Sequence, residues 1–229
     1  RAVRYITVNS NYIKRHLISV GVSEKKIKVI PVGVNLNLFN QTIDIKKAIE
    51  TNNKLLNVIT TGRLIQMKGH IQAIKAVKEM KILGYPVNYR IIGAGLKEYE
   101  NELRNLVRDL DCEKEVQFLG LKSQQEIKDI LLDSHVFWMP STYDDNTSRE
   151  EALGVSAIEA QACGLPVIGF RTGGIPEAVS DNQTGVLVED RNIDKLAIET
   201  INLINNPSKY CEYSSYARTR VVNFFDNDK

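Results

Sequence analysis

Two carboxylates frame the segment Glu151-Ala152-Leu153-Gly154-Val155-Ser156-Ala157-Ile158-Glu159, eight residues apart. If that span were all helix, the acids would stand about 12 Å apart along the axis and about 80° apart around it. The paired carboxylates of a glycosidase sit roughly 5 to 9.5 Å apart across one bond, so this spacing does not suit that chemistry. It suits an elongated ligand gripped at both ends. A small-residue turn leads into an apolar helix between the acids. The first turn of a helix offers unpaired N–H groups and a partial positive charge. The middle of such a ligand is therefore expected to be anionic. A sugar nucleotide, laid out as sugar, pyrophosphate and ribose, has this form. The competing reading is a surface helix carrying solvated acids, since spaced glutamates are common on helices.

An anionic ligand needs cations. Arg63 and Lys68 stand five residues apart just past the apolar run Leu55 to Thr61. Arg would grip a pyrophosphate by a forked contact and Lys as a point charge. Two solvated surface cations remain the alternative. Gly93-Ala94-Gly95 begins a dinucleotide fingerprint but fails it, because position 98 is Glu. These glycines are expected to make a tight turn beside the ligand. Gly173-Gly174, before a helix start, offers a second set of backbone N–H groups, and Glu177 is expected to support that loop rather than touch the ligand. His16 and His135 read as structural. His70 is expected at a cap or on the surface, with approach to a phosphate as the lesser option. Cys163 and Trp138 read as core residues.

The elements that must position these residues alternate. Strand-like runs at 55–61, 89–92, 116–119, 136–140, 166–170 and 185–188 are separated by helical patterns, among them 70–83, 96–110 and a capping box at Ser123 and Glu126. That alternation predicts a doubly wound parallel α/β sheet in three layers, helix on sheet on helix. The candidate residues all fall in loops that follow strands, where such sheets bind ligands. Before position 55 the pattern is thinner. It holds a short strand at 5–8, a helix capped by Ser10, a strand at 28–31 and a polar stretch from Asn40 to Lys54 that reads as a linker with a possible helical turn.

With 229 residues, 43% hydrophobic and 25% charged, the composition is that of an ordinary globular chain. A net charge of +2 gives no bulk attraction to nucleic acid. No apolar run approaches the roughly 18 residues of a membrane span. The three scattered cysteines show no metal spacing and fit a reducing compartment.

Taken together the motifs resemble the donor-binding half of a retaining GT-B glycosyltransferase of family 4. Val29 to Asn35 resembles the family's interdomain segment, and Gly62-Arg63-Leu64 with Lys68-Gly69 its phosphate grip. Phe118-Leu119-Gly120 resembles its base-proximal strand end, and Glu151 to Ala160 its two-glutamate motif. Gly164-Leu165-Pro166-Val167 and Gly173-Gly174-Ile175-Pro176-Glu177 follow in the expected order. The resemblance implies a Rossmann-like half of a GT-B fold. Residues 1–50 would be the remnant of an N-terminal acceptor domain with its linker, and 51–229 the nucleotide-sugar domain. It implies that Arg63 and Lys68 bind the donor pyrophosphate and steady the leaving nucleotide, beside Gly62 and Gly93. The amides of Leu153, Gly154 and Val155 would join that grip. Glu151, followed by Ala152, would approach the sugar, Glu159 the ribose, and Leu121-Lys122 the base. Glu151, Arg63 and Lys68 would be the catalytic set, with no metal or other cofactor.

The chain departs from the family where Ala152 stands in a position often held by Gly. Glu150 beside Glu151 raises the question of which acid faces the sugar, and the spacing to Glu159 selects Glu151. The Leu121-Lys122-Ser123 loop has no acid to pair with a guanine edge, which tilts the donor towards a UDP-sugar. The acceptor, a glycan or lipid-linked glycan in surface polysaccharide synthesis, is expected on the missing N-terminal domain. The family's terminal helix is expected to begin near Phe224-Phe225. A cytoplasmic enzyme with peripheral contact at the inner membrane face is implied. Other readings are a non-catalytic nucleotide-sugar-binding module, a GT-B epimerase, a phosphorylase, and a nicotinamide oxidoreductase. The last is disfavoured by the failed glycine fingerprint.

Overall fold

The computed structural model describes residues 4–45 and 55–227. Its main body is a six-stranded parallel sheet in the order β5-β4-β3-β6-β7-β8. The strands are β3 (Leu56–Thr61), β4 (Val87–Ile92), β5 (Val116–Gly120), β6 (Val136–Met139), β7 (Val167–Phe170) and β8 (Gly185–Val188). From β3 the chain winds outward through α2 (His70–Ile82), β4, α3 (Lys97–Asp109) and β5. It then returns by α4 (Gln124–Leu132) to the other side of β3 and winds outward again. That half uses α5 (Val155–Ala162), the short α6 (Ile175–Ala178), α7 (Ile193–Ile204) and α8 (Pro207–Phe224). This is the doubly wound three-layer sheet that the alternation predicts. Because connections leave β3 and β6 in opposite directions, a crevice opens between their carboxyl ends.

The local chemistry explains the boundaries. Strands β6, β7 and β8 are buried at every position, and their residues are almost continuously apolar, as a sheet covered on both faces requires. Helix α4 starts at the expected capping box: Ser123 accepts from the Glu126 amide, and Glu126 accepts from the Ser123 amide.

At the other end of the chain, β1 (Ile6–Val8) and β2 (Ile27–Val29) pair in parallel around α1 (Asn11–Ser19). The Ser10 side chain caps α1 by accepting from the Ile13 amide. The stretch after Gly33 is no loose connection. Val34, Phe39 and Ile43 lie in the main core. The Ile43 amide donates to the Cys163 carbonyl at 2.9 Å, and Val34 donates to Phe225 at 2.7 Å. Arg218 on α8 donates to both the Phe39 and Ala162 carbonyls. Of the 40–54 stretch, expected to be a linker with a possible helical turn, residues 46–54 lie outside the described residues.

The core is tied by a short polar chain. Tyr89 donates to Thr60, which donates to the Trp138 carbonyl, and the Trp138 indole donates to Thr200 at 2.8 Å. Strands β3, β4 and β6 and helix α7 thus share one satisfied network, with the Tyr89 and Trp138 rings 5.2 Å apart. Replacing Trp138 by Phe removes the donor to Thr200 and leaves a void. Urea unfolding of Trp138→Phe is expected to show a loss of roughly 2 kcal/mol.

Candidate functional site

The crevice begins at the end of β3. The loops after β3 and β4 are zipped together by their backbones: Gly62 donates to Ile92 and Leu64 donates to Ala94, each at 2.9 Å. A 3₁₀ turn over Gln66–Lys68 then folds the chain back and ends at Gly69, which is left-handed at φ 65°. A Cβ there would fall 1.7 Å from the Pro140 carbonyl oxygen, so the turn depends on glycine. The fold-back aims Lys68 across the crevice, where its Nζ meets Glu151 Oε2 at 2.5 Å. Ser141 donates to the same oxygen at 3.3 Å. Both charged side chains are largely buried, at 16% and 12% exposure. The sequence assigns Lys68 and Glu151 to different parts of a ligand; the fold puts them in direct contact.

Arg63 lies at the cavity surface, exposed, and its guanidinium has no hydrogen bond or ion pair to another described residue. Its backbone is held from behind. His70 is fully buried, and its Nε2 lies 3.1 Å from the Arg63 carbonyl oxygen. Only the Nε2–H form of the ring can donate to that carbonyl. Burial pulls the imidazole down to about 4, so it is neutral near pH 7. This corrects the surface or cap role expected for His70. It is an interior strut for the Arg63 loop.

On the opposite wall a polar loop from Ser141 leads to Glu151. Arg191 holds this loop by donating to Thr142, the Tyr143 carbonyl and Asp145. The Gly173–Gly174 turn packs beneath the two acids. The Gly174 amide donates to the Glu151 carbonyl at 2.7 Å, and a Cβ on Gly174 would fall 2.0 Å from the Ala152 oxygen. These glycines therefore support the acid-bearing loop, and the Gly174 N–H expected to face an anion is already engaged. Helix α5 starts at Val155. The amides of Leu153, Gly154, Val155 and Ser156 donate to no carbonyl among the described residues. Glu159 sits one turn into α5, half-buried, and desolvation raises its carboxyl above the ordinary value.

These walls enclose a cavity of about 760 Å³. It brings together Gly62, Arg63, Lys68, Gly93, Leu121, Lys122, Glu151, Ala152, Val155 and Glu159. It does not bring in Leu153 or Gly154. Leu153 is in the core at 2% exposure, and Gly154 faces the Met139 and Ala178 side chains. Of the residues at this helix start, Val155 and Ser156 line the cavity. Leu121 is exposed beside the cavity, and Lys122 is paired with Glu126 at 3.2 Å.

The sequence reading missed the fourth wall. Helix α1 contributes Tyr12, Ile13 and His16. His16, read as structural, is exposed and faces the cavity. The Tyr12 hydroxyl donates to Glu150 at 2.5 Å, and burial together with Glu150 pushes that phenol up to about 12. Nothing in the local pattern of α1 signals this, because the contact spans 138 positions. Glu150 is thus held by Tyr12, and Glu151 by Lys68.

A doubly wound sheet with a cationic crevice at its switch point, closed by a two-glutamate helix start, defines the C-terminal half of a GT-B glycosyltransferase. The chain belongs to the glycosyl transferases group 1 family, whose model matches residues 41–220. It is 32% identical over 225 residues to the GDP-mannose-dependent monoacylated alpha-(1-6)-phosphatidylinositol monomannoside mannosyltransferase of Corynebacterium glutamicum. That match covers 96% of this chain and 58% of the relative. It is 31% identical to the amylovoran biosynthesis glycosyltransferase AmsK of Erwinia amylovora, over 92% of this chain and 50% of the relative. Among solved structures it is similar to Anabaena Alr3699/HepE in complex with UDP-glucose. There the TM-score is 0.85 at 25% identity, over 99% of this chain and 61% of that one. The chain spans about half the length of the curated relatives it matches. Among the described residues no helix is long and apolar enough to cross a membrane, and no group of three or more His, Cys, Asp or Glu could hold a metal ion.

Two pH effects follow from the buried groups. Between about pH 6.5 and 4 the unfolded chain protonates His70 while the folded chain does not, so stability falls as pH drops through that window. The loss is on the order of 3 kcal/mol and should be absent from His70→Gln, as read by urea midpoints at pH 7 and 4.5. Glu159 has the opposite sense. Its raised value means the ionised form is disfavoured by folding, so Glu159→Gln should melt higher than wild type at pH 7.5. That gain should vanish as pH falls below the carboxylate range, where the acid is protonated in both states.

Proposed function

We propose that this chain is the donor half of a retaining glycosyltransferase that transfers a sugar from a UDP-sugar to a glycan or lipid-linked acceptor in surface polysaccharide synthesis. The reading is carried by one observation. Arg63, Lys68 and the unengaged amides at the start of α5 converge on a single cavity at the sheet's switch point, with Glu151 and Glu159 on its walls. The hard part of glycosyl transfer is the charge that develops on the departing nucleoside diphosphate. Fixed cations and N–H groups aimed at that charge stabilise it without reorganising. Arg63 takes the pyrophosphate by its fork, Lys68 shares its charge between Glu151 and the phosphate, and the Val155 and Ser156 amides complete the grip. Glu151 accepts from sugar hydroxyls and Glu159 from the ribose. No metal or other cofactor is assigned a part.

The preference for uridine rests on the base loop. A guanine edge presents N–H donors that call for a carboxylate. Glu126, the acid nearest that loop in sequence, accepts from the Ser123 amide and hydroxyl and pairs with Lys122. Those bonds hold it at about 2, fully ionised and committed to its cap. The UDP-glucose complex of the HepE structure supports the same choice. The GDP-mannose dependence of the Corynebacterium relative favours the second reading, a GDP-sugar donor. The acceptor is assigned to a domain beyond this chain. In the proposed whole enzyme, cytoplasmic and peripheral at the inner membrane face, these residues alone bind donor and transfer nothing.

Calorimetric titration with UDP, GDP and NAD separates these readings. UDP should bind at least tenfold tighter than GDP, with no response to NAD. GDP tighter than UDP would move the donor to the second reading, and tight NAD binding with no response to UDP or GDP would sink the proposal. Lys68→Ala and Arg63→Ala should each weaken UDP binding by about 10- to 100-fold, as the loss of one charge-assisted contact implies.

A further inference from the structure

Glu177 does not line the cavity, yet it joins two of its walls. Its Oε2 accepts from the Asn11 amide at 2.7 Å and from the Asn11 side chain at 3.0 Å. Its Oε1 accepts from the Tyr12 amide at 2.6 Å. A carboxylate at the start of α1 satisfies N–H groups that the helix itself leaves open, and it meets the positive end of the helix dipole. These contacts cross more than 160 positions of sequence. Glu177 is itself firmly placed. Arg220 on α8 donates to the Glu177 and Ala178 carbonyls at 2.7 Å each. Three residues before Glu177, the Gly174 amide holds the Glu151 carbonyl.

The contacts close a ring. Glu151 is tied to Gly174, Glu177 to the start of α1, and Tyr12 on α1 back to Glu150. Each of its three non-covalent junctions has a hydrogen bond of 2.7 Å or less, and the backbone from Gly174 to Glu177 and from Glu150 to Glu151 joins them. Two adjacent acids at the cavity wall cannot both take the same role. The ring decides between them, because Tyr12 draws Glu150 to the α1 side and leaves Glu151 with Lys68.

We propose that Glu177 is a positioning residue for the donor sugar. By fixing α1 it sets the Tyr12 hydroxyl on Glu150, so that Glu151 alone is presented to the sugar. Glu177 touches neither the pyrophosphate grip at Arg63, Lys68 and Val155 nor the base loop at Leu121. Loss of Glu177 therefore acts on recognition of the sugar and spares the nucleotide. This inference rests on the donor-site reading above.

The test uses the full chain and two measurements. Wild type is first titrated with a panel of UDP- and GDP-sugars and with free UDP and GDP, to select the tightest sugar nucleotide and its parent nucleotide. Glu177→Gln should raise hydrogen exchange at the Asn11 and Tyr12 amides at least tenfold, with exchange in β3, β4 and β6 unchanged. It should weaken the selected sugar nucleotide at least fivefold and the parent nucleotide less than twofold. Tyr12→Phe, which leaves the Glu177 contacts intact, should give the same split in affinity with unchanged exchange in α1. Equal weakening of both ligands, or faster exchange with no change in affinity, would reduce Glu177 to a structural brace and overturn the proposal. If wild type binds no nucleotide and no sugar nucleotide, the donor-site reading fails instead, and the exchange measurement still reports whether Glu177 holds α1.

Discussion

The Lys68 ammonium meets the Glu151 carboxylate with both side chains largely withdrawn from solvent. Charges moved out of water are costly unless their geometry is good and their remaining bonding capacity is met. Much of the surrounding structure serves that condition. The left-handed Gly69 folds the Lys68 turn back on itself, and Ser141 supplies a further donor to the same Glu151 oxygen. From below, Gly174 fixes the Glu151 backbone. On the proposed donor reading, the phosphate and Glu151 would share the one positive charge of Lys68.

Around that pair the two walls are built by different means. The Arg63 wall is a backbone construction: two strand ends bonded to each other, with a neutral His70 behind them. It is held by amides and carbonyls, and it presents Arg63, whose guanidinium has no hydrogen bond or ion pair to another described residue. The Glu151 wall is a side-chain construction, propped by Arg191 on one flank and by Tyr12 on the other. On the proposed reading the first would hold the pyrophosphate, which is the same in every donor. The second surrounds the position assigned to the sugar, which differs between donors, and side chains are the part of a wall that sequence can change without refolding the strand.

Helix α1 has a double allegiance. Its strands β1 and β2 form a small separate sheet, while its first turn is capped by a carboxylate of the main body. The charge on Glu177 and the dipole of α1 make that junction electrostatic as well as geometric.

The alternation of apolar strands and amphipathic helices determined the three-layer parallel sheet, because each element must bury a particular face and the periodicity records which one. The glutamate spacing, the Arg63–Lys68 pair and the loop glycines likewise fixed most of the cavity, because residues that follow parallel strands gather at one edge of the sheet whatever the details. Local pattern could not place the Leu153 side chain in the core or Gly154 against Met139 and Ala178, since where a turn lands depends on the packing between elements. It could not find His70 in the interior, the Lys68–Glu151 contact, Tyr12 and His16 on the cavity wall, or Glu177 at the start of α1. Those follow from pairings between residues far apart in sequence. Sequence spacing carries the period of one helix or strand, and only the packed sheet carries the distance between two of them.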